Sequence, residues 1–499
     1  MISIVVSTKK IDNNFKEMLL KSVGLKDVQL LIYENDGLYS LTEIYNKGLL
    51  ESKYDVVVFC HDDIKLKTKN WGNILLKNYS TDEFGILGVA GSRKLENGVW
   101  WHDNSTTYGQ VYHTDGKKEW LSQYSRILKD DIQEVVVVDG VFFSVKKSLL
   151  KANFDEKYNG FHFYDISFCF DNFKKGVKVG VHTNILLTHN SVGHTNTAWE
   201  ENRMLFVEDN KDFLPSEVDL DVPYIDINVQ LKTENKLGII IPTKNNVDEL
   251  LIPCLESIIK TTKYSNYKIY IADTGSNEIE LKKTKEYINS INKNKEVLKL
   301  IEYDYYNFAK INNNVVKKHV EDDTELLLFV NNDIEMVNDA ISVMVDIYQK
   351  NKKDVGTIGC RLHFENGSLQ HLGISLEHNQ RGEVGITHKF LKMDYRNTPQ
   401  DQKTIQTHGN TAAFMMVSKK LFDKIGGFNE HYKECFEDVE FNLECYLNGK
   451  KNLTNSNAVC YHFESQTRGR SVDSGDVNLI LSFIDRSEKI KRTLYKINN

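Results

Sequence analysis

The chain has 499 residues, of which 40% are hydrophobic and 27% are charged, and its formal net charge is −7 at pH 7. This size exceeds one ordinary hydrophobic core, so we expect two to four domains. The composition is typical of a soluble globular protein. The negative charge argues against a protein that binds nucleic acid by neutralising its phosphates.

The seven cysteines are scattered and never spaced as C-x-x-C, which fits a reducing cytoplasm better than a disulfide framework. The chain opens on a strand-like run, so we expect no signal peptide. The longest apolar stretch, Val135–Val145, is short and interrupted by Asp139, which predicts no membrane span. We therefore expect a cytoplasmic protein, and any membrane association would be peripheral, at the inner face.

In chain order, apolar strand-like runs at Ile2–Thr8 and Val28–Gly37 enclose a helix-like segment at Asn13–Gly24. The next strand-like run, within Asp55–Lys65, ends abruptly on adjacent carboxylates. Alternation of strands and helices predicts an α/β fold with a mostly parallel sheet and helices on both faces. In such sheets a ligand binds outside the carboxyl ends of the strands, which is where these carboxylates lie.

The second half repeats the first in order and nearly in spacing, which indicates a tandem duplication. In each half a strand-end acid is followed by a second acid, 102 residues later in the first half and 105 residues later in the second. A histidine follows each second acid after 24 residues. These residues are Asp63, Asp165 and His189 in the first half, and Asp333, Asp438 and His462 in the second.

We therefore predict two domains built on one α/β plan. The first domain is expected at 1–214 and the second at 236–470. The segment Pro215–Asn235 is polar and acidic and contains two of the five prolines, which predicts a linker. The tail, 471–499, includes Val477–Ile497, which is apolar at helical intervals and predicts a packing helix.

The strand-end acids Asp63 and Asp333 can hold a divalent cation, because Mg²⁺ and Mn²⁺ prefer oxygen ligands and bridge carboxylates to substrate phosphates. With a nucleotide-diphosphate sugar as substrate, such a cation acts as a Lewis acid that stabilises the departing diphosphate. His189 and His462 stand at matching places and are candidate second ligands. The alternative is that each acid only caps a turn between strand and helix.

Transfer to an acceptor hydroxyl also requires a base. Asp165 and Asp438 fit this role, since each lies between apolar residues at the expected start of a helix, where the helix dipole favours the ionised form. The alternative is an ordinary helix N-cap, which is compatible with catalysis. His162 and Glu437 are neighbouring candidates.

Several short motifs occur together in the second half: "IIIPTKN", "IADTGS", "YNFAKINN", "LLFVNNDIE", "IGGFNEHY", "FEDVEF" and "YHFESQTRGR". As a set they resemble the inverting family 2 glycosyltransferases of the GT-A fold, over almost all of Lys236–Arg470. The first half resembles a more divergent glycosyltransferase of the same fold, through "VFCHDDI", "DGVFFSV", "GFHFYDISF" and "THNSVG". The resemblance implies a Rossmann-like sheet in each half.

For the second half, the resemblance implies a nucleotide pocket, a metal site, a general base whose attack gives inversion, and a cation facing the diphosphate. The corresponding residues are Thr243, Asp273 and Asn332 for the nucleotide, Asp333 and His462 for the metal, Asp438 for the base, and Arg468 for the diphosphate.

For the first half, the resemblance implies the same roles at matching positions. Two departures leave the donor and the activity of this half open: Glu34 stands in place of the usual aspartate, unless Asp36 takes over, and tyrosine replaces glutamate before the expected base. The matching residues are Thr8, Glu34, Asp36 and Asp62 for the nucleotide, Asp63 and His189 for the metal, and Asp165 for the base.

The resemblance implies a bifunctional enzyme that uses Mn²⁺ or Mg²⁺ to move sugars, with UDP-sugars as the expected donors, onto a bacterial surface glycan, glycolipid or glycoprotein. Tandem sites suit consecutive additions, because tethering raises the effective concentration of the intermediate. In one alternative only the second half is catalytic and the first binds glycan or a partner. In another, both halves are binding or scaffolding modules, although binding alone needs no base. Nucleotidyltransferases share the α/β plan but lack the closing histidine segment.

Overall fold

The computed structural model describes residues 1–124, 132–191, 195–226, 228–231, 233–293, 296–378, 384–399, 403–463, 473–488 and 490. The chain divides into two compact units, Met1–Asp219 and Leu220–Asn499, so the division falls inside the segment expected to be a linker. Both units combine sheets with helices, which confirms the α/β fold class. None of the helices in the described part of the chain has the length and apolarity needed to cross a bilayer.

The described part of the first unit alternates strands and helices as expected. Its helices are α1 (Asn13–Val23), α2 (Leu41–Glu51), α3 (Trp71–Asn78), α4 (Tyr164–Lys174) and α5 (Thr197–Asp209). Its strands are β1 (Ile2–Thr8), β2 (Val28–Glu34), β3 (Val56–Cys60), β4 (Ile64–Leu66), β5 (Ile86–Gly88), β6 (Ala90–Ser92), β7 (Lys94–Leu95), β8 (Thr107–Thr114), β9 (Glu119–Gln123), β10 (Ile132–Val135), β11 (Val137–Val138), β12 (Phe142–Lys146), β13 (Val179–His182), β14 (Leu187–His189) and β15 (Ser216–Glu217).

The second unit follows a similar order, with an additional strand and helix near its start. Its described helices are α6 (Ile252–Thr261), α7 (Glu278–Ile291), α8 (Phe308–Lys318), α9 (Ala340–Asn351), α10 (Lys419–Ile425), α11 (Glu437–Leu447) and α12 (Ser474–Asp485). Its strands are β16 (Leu237–Thr243), β17 (Tyr267–Asp273), β18 (Leu298–Glu302), β19 (Leu326–Val330), β20 (Ile334–Met336), β21 (Val355–His363), β22 (Leu369–His371), β23 (Ile374–His378), β24 (Val384–His388), β25 (Thr404–Thr407), β26 (Phe414–Ser418) and β27 (Lys451–His462).

The main sheet of each unit is mixed. In the first unit the order is β10-β13-β5-β12-β3-β1-β2, and in the second it is β18-β17-β16-β19-β26-β21-β27-β20. The early strands run parallel as predicted, whereas β12 and β26 run antiparallel to both of their neighbours. Strand–helix alternation predicts parallel pairs, and it holds no signal for a strand that enters the sheet from the opposite end.

The two main sheets are built in the same register. On β12, Phe142 lies opposite Cys60, the last residue of β3. On β26, Phe414 lies opposite Val330, the last residue of β19. The acids that follow β3 and β19 therefore occupy equivalent positions, at the carboxyl ends of central strands. This equivalence supports the duplication read from the sequence.

Helices cover both faces of the second unit's sheet. Along β16, Ile239 and Ile241 pack in a cluster with α6 and α9, whereas Ile240 between them packs in a cluster with α8 and α11. Alternate residues of a strand point to opposite faces, so a run that is apolar throughout requires apolar cover on both sides. The carboxyl edge of the sheet is left for a ligand.

Candidate active sites

A cavity of about 740 Å³ lies at the carboxyl ends of β16 and β19 in the second unit. Its wall includes Thr243 at the end of β16, Asp333 after β19, Asp438 at the start of α11 and His462 at the end of β27. The volume is within the range of small-molecule sites. With Asn332, which also lines it, five of the residues selected from the sequence therefore meet at one cavity, although they come from distant parts of the chain.

Strand pairing brings Asp333 and His462 together. β20 runs antiparallel to β27 with Ile334 opposite His462, and 3.2 Å separates Oδ1 of Asp333 from Nε2 of the imidazole. The other ring nitrogen, Nδ1, lies 2.6 Å from Oε1 of Gln370, which can only accept a hydrogen bond. The Nδ1 atom therefore carries the proton, and the lone pair lies on Nε2, which faces Asp333 and accepts a hydrogen bond from the amide of Asn331 at 3.2 Å.

Asp438 is held by backbone amides at the start of α11. Its carboxylate accepts the N–H of Ala412 at 2.9 Å and that of Val439 at 2.7 Å. The helix N-cap is Phe436, whose φ of 74° lies in the left-handed region that aromatic residues rarely adopt. Backbone strain of this kind costs about 1–3 kcal/mol and clusters at functional sites. Asp438 is therefore the second helical residue and lines the cavity, and it is not the N-cap considered as the alternative.

The residues expected to hold the nucleotide lie beside the acid–histidine pair formed by Asp333 and His462. Asn332 donates from Nδ2 to Oγ1 of Thr243 at 3.0 Å. One oxygen of Asp273 accepts the N–H groups of Gly275 and Ser276, at 3.0 and 2.9 Å. Its other oxygen is buried and has no hydrogen-bond partner in the described part of the chain. An acceptor left open in this way suits an N–H of a nucleobase, and this role stays a prediction.

The first unit repeats the acid–histidine pair and adds a second histidine. β4 pairs with β14 so that Ile64 lies opposite His189, and Oδ1 of Asp63 is 3.3 Å from Nε2 of His189. Nδ1 of His61 lies 3.4 Å from the same Nε2 and 3.8 Å from the same Oδ1. These three side chains could hold a metal ion. The sequence reasoning missed His61, although an imidazole two residues before a strand-end acid is itself a signal.

Both acid–histidine pairs fit a divalent cation. The Oδ1 atoms of Asp63 and Asp333 are buried and accept no hydrogen bond from any described residue. A buried carboxylate oxygen is costly unless a proton or a cation compensates it, and imidazole and carboxylate together suit Mn²⁺ and similar ions. Arg468, which the resemblance placed near the diphosphate, lies outside the described residues.

Asp165 is held in the first unit as Asp438 is in the second. Its carboxylate accepts the N–H of Gly140 at 2.7 Å and that of Ile166 at 2.9 Å. The preceding N-cap, Phe163, again has a left-handed φ, of 61°. Burial, with the nearby carboxylate of Asp139 adding to it, raises the pKa of Asp165 to about 7. This carboxyl group is therefore poised to exchange a proton near neutral pH.

The nucleotide side of the first unit is organised differently. Thr8 donates from Oγ1 to Asp62 at 2.6 Å. The equivalent residues of the second unit, Thr243 and Asn332, are also hydrogen-bonded, but there the threonine accepts. Glu34 and Asp36 are both exposed, and the buried residue between them is Asn35, whose Oδ1 accepts two N–H groups of the following loop. Asn35 thus holds the loop after β2 in the same way as Asp273 holds the loop after β17 in the second unit. The sequence reasoning did not select Asn35.

Two family models match the chain, one in each unit. "Glycosyltransferase like family" matches residues 19–210, and "Glycosyl transferase family 2" matches residues 238–426. The two matches follow one another without overlap. Together they contain the strand-end acids of both units and the expected base of the first.

Two curated relatives match part of the chain. One is the uncharacterized protein y4gI of Sinorhizobium fredii, 29% identical over 237 residues, which are 47% of this chain and 25% of that protein. The other is the O-antigen biosynthesis protein RfbC of Myxococcus xanthus, 28% identical over 240 residues, which are 47% of this chain and 18% of that protein. The chain thus spans a quarter or less of the length of these relatives.

Among solved structures, GalNAc-T7 with UDP, GalNAc and Mn²⁺ matches with a TM-score of 0.40 and 12% identity, over 58% of this chain and 57% of the other. TarS of S. aureus matches with a TM-score of 0.35 and 17% identity, over 50% of this chain and 39% of the other.

Proposed function

Because the chain carries two glycosyltransferase domains in tandem, we propose that each domain transfers one sugar from a nucleotide-diphosphate sugar, with UDP as the nucleotide, to a growing bacterial surface glycan or glycoprotein glycan. We propose that both transfers depend on Mn²⁺ or Mg²⁺ and invert the anomeric carbon. The observation that carries the proposal is that an acid–histidine pair fit for a cation and a second, amide-held acid line one cavity.

In the second domain, Asp333 and His462 would hold the cation, which when bound stabilises the negative charge on the departing diphosphate. The chain itself orients the pair, since Gln370 holds the imidazole so that Nε2 faces the carboxylate. Asn332 and Thr243, hydrogen-bonded to each other, would contact the nucleotide at the edge of the same cavity. Donor binding thereby fixes the leaving group before transfer begins.

Asp438 would take the proton from the acceptor hydroxyl. Two backbone N–H groups, from Ala412 and Val439, donate to its carboxylate and hold it at the wall of the cavity. Each oxygen accepts one of these bonds and keeps further capacity to accept the hydroxyl proton. A single displacement with this base inverts the configuration at the anomeric carbon.

The acceptor class is proposed from one relative, because the Myxococcus xanthus protein is an O-antigen biosynthesis protein. An acceptor of this kind is a surface polysaccharide or its lipid-linked precursor. We accordingly propose that the protein acts in the cytoplasm, with peripheral association at the inner face of the membrane. Consecutive additions by two tethered domains would raise the effective concentration of the intermediate.

A second candidate function keeps catalysis in the second domain alone and makes the first a glycan- or partner-binding domain. The observation that favours it is the nucleotide side of the first domain, where Glu34 and Asp36 are exposed and the buried residue between them is Asn35. The second domain instead has Asp273 at the end of the equivalent strand, and one oxygen of Asp273 is buried without a hydrogen-bond partner among the described residues.

A donor panel distinguishes the two functions. Full-length protein is incubated with UDP-, GDP- and dTDP-sugars, Mn²⁺ and an acceptor extract, and products are followed by mass spectrometry and anomeric NMR. We expect Asp333→Ala and Asp438→Asn to abolish one transfer, by about 100-fold or more. We expect Asp63→Ala and Asp165→Asn to abolish a different one.

The matched control is Asp323→Ala, which removes an exposed carboxylate of the second unit away from the cavity and should leave both transfers intact. If Asp63→Ala changes neither transfer, the first domain is a binding domain and the second candidate function holds. Retention of both transfers in the Asp63→Ala, Asp333→Ala double variant would contradict both candidates.

A further inference from the structure

We propose that His61 is a third cation ligand in the first domain, so that this domain holds a transition-metal ion in strong preference to Mg²⁺, whereas the second domain discriminates less. The inference rests on the proposed function only in taking each domain to hold a divalent cation. It concerns a side chain whose position in the second unit is occupied by an amide.

The three donor atoms form a triangle that fits one ion. The distances are 3.4 Å between Nδ1 of His61 and Nε2 of His189, 3.3 Å between that Nε2 and Oδ1 of Asp63, and 3.8 Å between that Oδ1 and Nδ1 of His61. A point equidistant from all three atoms lies about 2.0 Å from each, which is the length of a bond from a divalent transition metal to imidazole nitrogen or carboxylate oxygen. The donors therefore need little movement to close around a cation.

Tyr164 orients the ring of His61. Its hydroxyl lies 2.8 Å from Nε2 of His61, and the tyrosine side chain is buried at the start of α4. An N–H at Nε2 that donates to this hydroxyl leaves the lone pair on Nδ1, the atom that faces the other two donors. Histidines that bind metal in proteins use the second ring nitrogen in this way, which fixes the tautomer and the ring.

The two units differ here at three positions that form one chain of contacts. A Cβ added to Gly140 would collide with the hydroxyl of Tyr164, so glycine admits the tyrosine that in turn contacts His61. The strand register and the helix starts identify the equivalent residues in the second unit. The pairs, first unit before second, are His61 and Asn331, Tyr164 and Glu437, and Gly140 and Ala412.

This contact chain explains a departure that the sequence left open. In the first unit, Tyr164 stands where the second unit has glutamate, and its hydroxyl holds His61 towards Asp63 and His189. In the second unit the equivalent residue, Asn331, donates from its amide to Nε2 of His462 at 3.2 Å and offers no ring nitrogen. Within the described residues, the candidate cation site of the first unit thus has two imidazoles and a carboxylate, and the acid–histidine pair of the second has one of each.

Ligand chemistry gives the expected selectivity. Imidazole nitrogen binds Mn²⁺, Co²⁺ and Zn²⁺ increasingly well, whereas Mg²⁺ prefers oxygen ligands and gives up its waters reluctantly. A second imidazole therefore strengthens transition-metal binding without a comparable gain for Mg²⁺. Three protein ligands still leave coordination positions for the diphosphate oxygens of a donor.

Co²⁺ is the probe, because its visible absorption reports the ligands directly. Full-length Asp333→Ala protein, in which only the first domain keeps its strand-end acid, is titrated with Co²⁺ and with Mg²⁺ by calorimetry and absorbance. Adding His61→Asn, which installs the second unit's side chain, should weaken Co²⁺ binding at least about tenfold and change its spectrum. Mg²⁺ affinity should change by less than about threefold.

The reciprocal variant is the matched control. Asn331→His in an Asp63→Ala background supplies a second imidazole to the other domain and should strengthen Co²⁺ binding there. A gain of Co²⁺ affinity is not expected from a poorly folded protein. The Asn331→His variant therefore tests the third-ligand proposal even if His61→Asn folds poorly. Tyr164→Phe, which frees the ring of His61, should lower Co²⁺ affinity less than His61→Asn does.

An unchanged Co²⁺ affinity and spectrum in folded His61→Asn protein, or no gain in Asn331→His, overturns the proposal. The titrations contain no donor or acceptor, so they are independent of transfer. If the first domain transfers no sugar and still binds Co²⁺ through His61, the function proposed for that domain fails and the third ligand stands.

Discussion

Asp165 and Asp438 have the same backbone setting but different neighbours. Each is the second residue of a helix whose N-cap is a phenylalanine with left-handed backbone, and each accepts two N–H groups. The register of the central strands sets Asp139 in the first domain where Thr411 stands in the second. The first domain therefore has an extra carboxylate near the expected base, which adds to burial in raising the pKa of Asp165 to about 7.

This neighbour predicts the pH dependence of the first transfer. A base with a pKa near 7 is protonated, and inactive, as the pH falls below that value. Asp139→Asn removes a negative charge, so the pKa of Asp165 should fall and the acidic limb of kcat/KM should move to lower pH, by on the order of one unit. Burial stays, and so do Tyr45, Tyr164 and Cys169, whose side chains also face Asp165.

The measurement is kcat/KM against pH for each transfer in wild type and variant. The second transfer is the internal control, because its site lacks the substituted residue, and its profile should not move. An asparagine at this position can still accept the N–H of Val141, which Asp139 accepts at 2.9 Å, so the loop keeps that bond. An acidic limb that stays in place would mean that Asp165 is not the titrating base.

At the scale of elements, the tail helix α12 does more than cover apolar surface. Ile480 and Ile484 pack against Tyr432, Val439 and Leu443, as expected for the first part of the packing helix predicted at Val477–Ile497. Residues 489 and 491–497 of that segment lie outside the described part of the chain. In addition, the buried carboxylate of Asp476, near the start of α12, accepts three backbone N–H groups. The donors are three consecutive residues that precede α11 and line the cavity. These hydrogen bonds join Asp476 to Lys433 at 3.0 Å, to Glu434 at 2.8 Å and to Cys435 at 3.1 Å.

Asp476→Ala should therefore affect both stability and substrate binding. The variant leaves three backbone N–H groups without their acceptor beside the cavity, at a cost of about 1–3 kcal/mol in the free energy of unfolding. The loosened wall should raise the KM for one substrate of the second transfer more than it lowers kcat. Urea denaturation and steady-state kinetics measure the two effects.

Asn478→Ala is the matched control, since Asn478 is exposed on the same helix. It should change the unfolding free energy by less than about 0.5 kcal/mol and leave both kinetic constants alone. Equal effects of the two substitutions would show that the tail acts only through general packing, without a specific hold on the cavity wall.

At the scale of the whole molecule, buried neutral imidazoles set a limit to stability in acid. Burial lowers the pKa of His182 in the first unit, and of His363 and His408 in the second, to about 4. In the unfolded chain these groups titrate near pH 6.5. Between these values the unfolded state binds more protons than the folded state, so stability is lost as the pH falls through that window.

Each such imidazole should cost on the order of 1 kcal/mol of unfolding free energy per pH unit between about pH 6.5 and 4. Calorimetry of the full chain from pH 7.5 to 4.5 measures the slope. His182→Leu, which cannot take up a proton, should flatten the slope for the first unit's transition and leave the second unit's transition as the internal reference. An unaltered slope in the variant would contradict a neutral, buried His182.

Much of the site could be predicted because its determinants are local. Apolar runs of strand length, helical periodicity and carboxylates at strand ends can each be recognised within about ten residues. The rule that ligands bind at the carboxyl ends of strands then indicates where the site lies. Repetition supplied the rest: the equal 24-residue gaps selected His189 and His462 before any contact was known. The cavity of the second unit then brings Asp333, Asp438 and His462 together.

The sequence by itself therefore determined the duplication, the α/β class and the residues at the ends of the central strands. Only the tertiary structure decided the antiparallel direction of β12 and β26, the contact of Tyr164 with His61, and the hold of Asp476 on the cavity wall. These features join segments about 40 to 100 residues apart. They depend on strand register and helix docking, which local hydrophobic patterns do not encode, because a register shifted by two residues keeps the same side chains on the same face of the sheet.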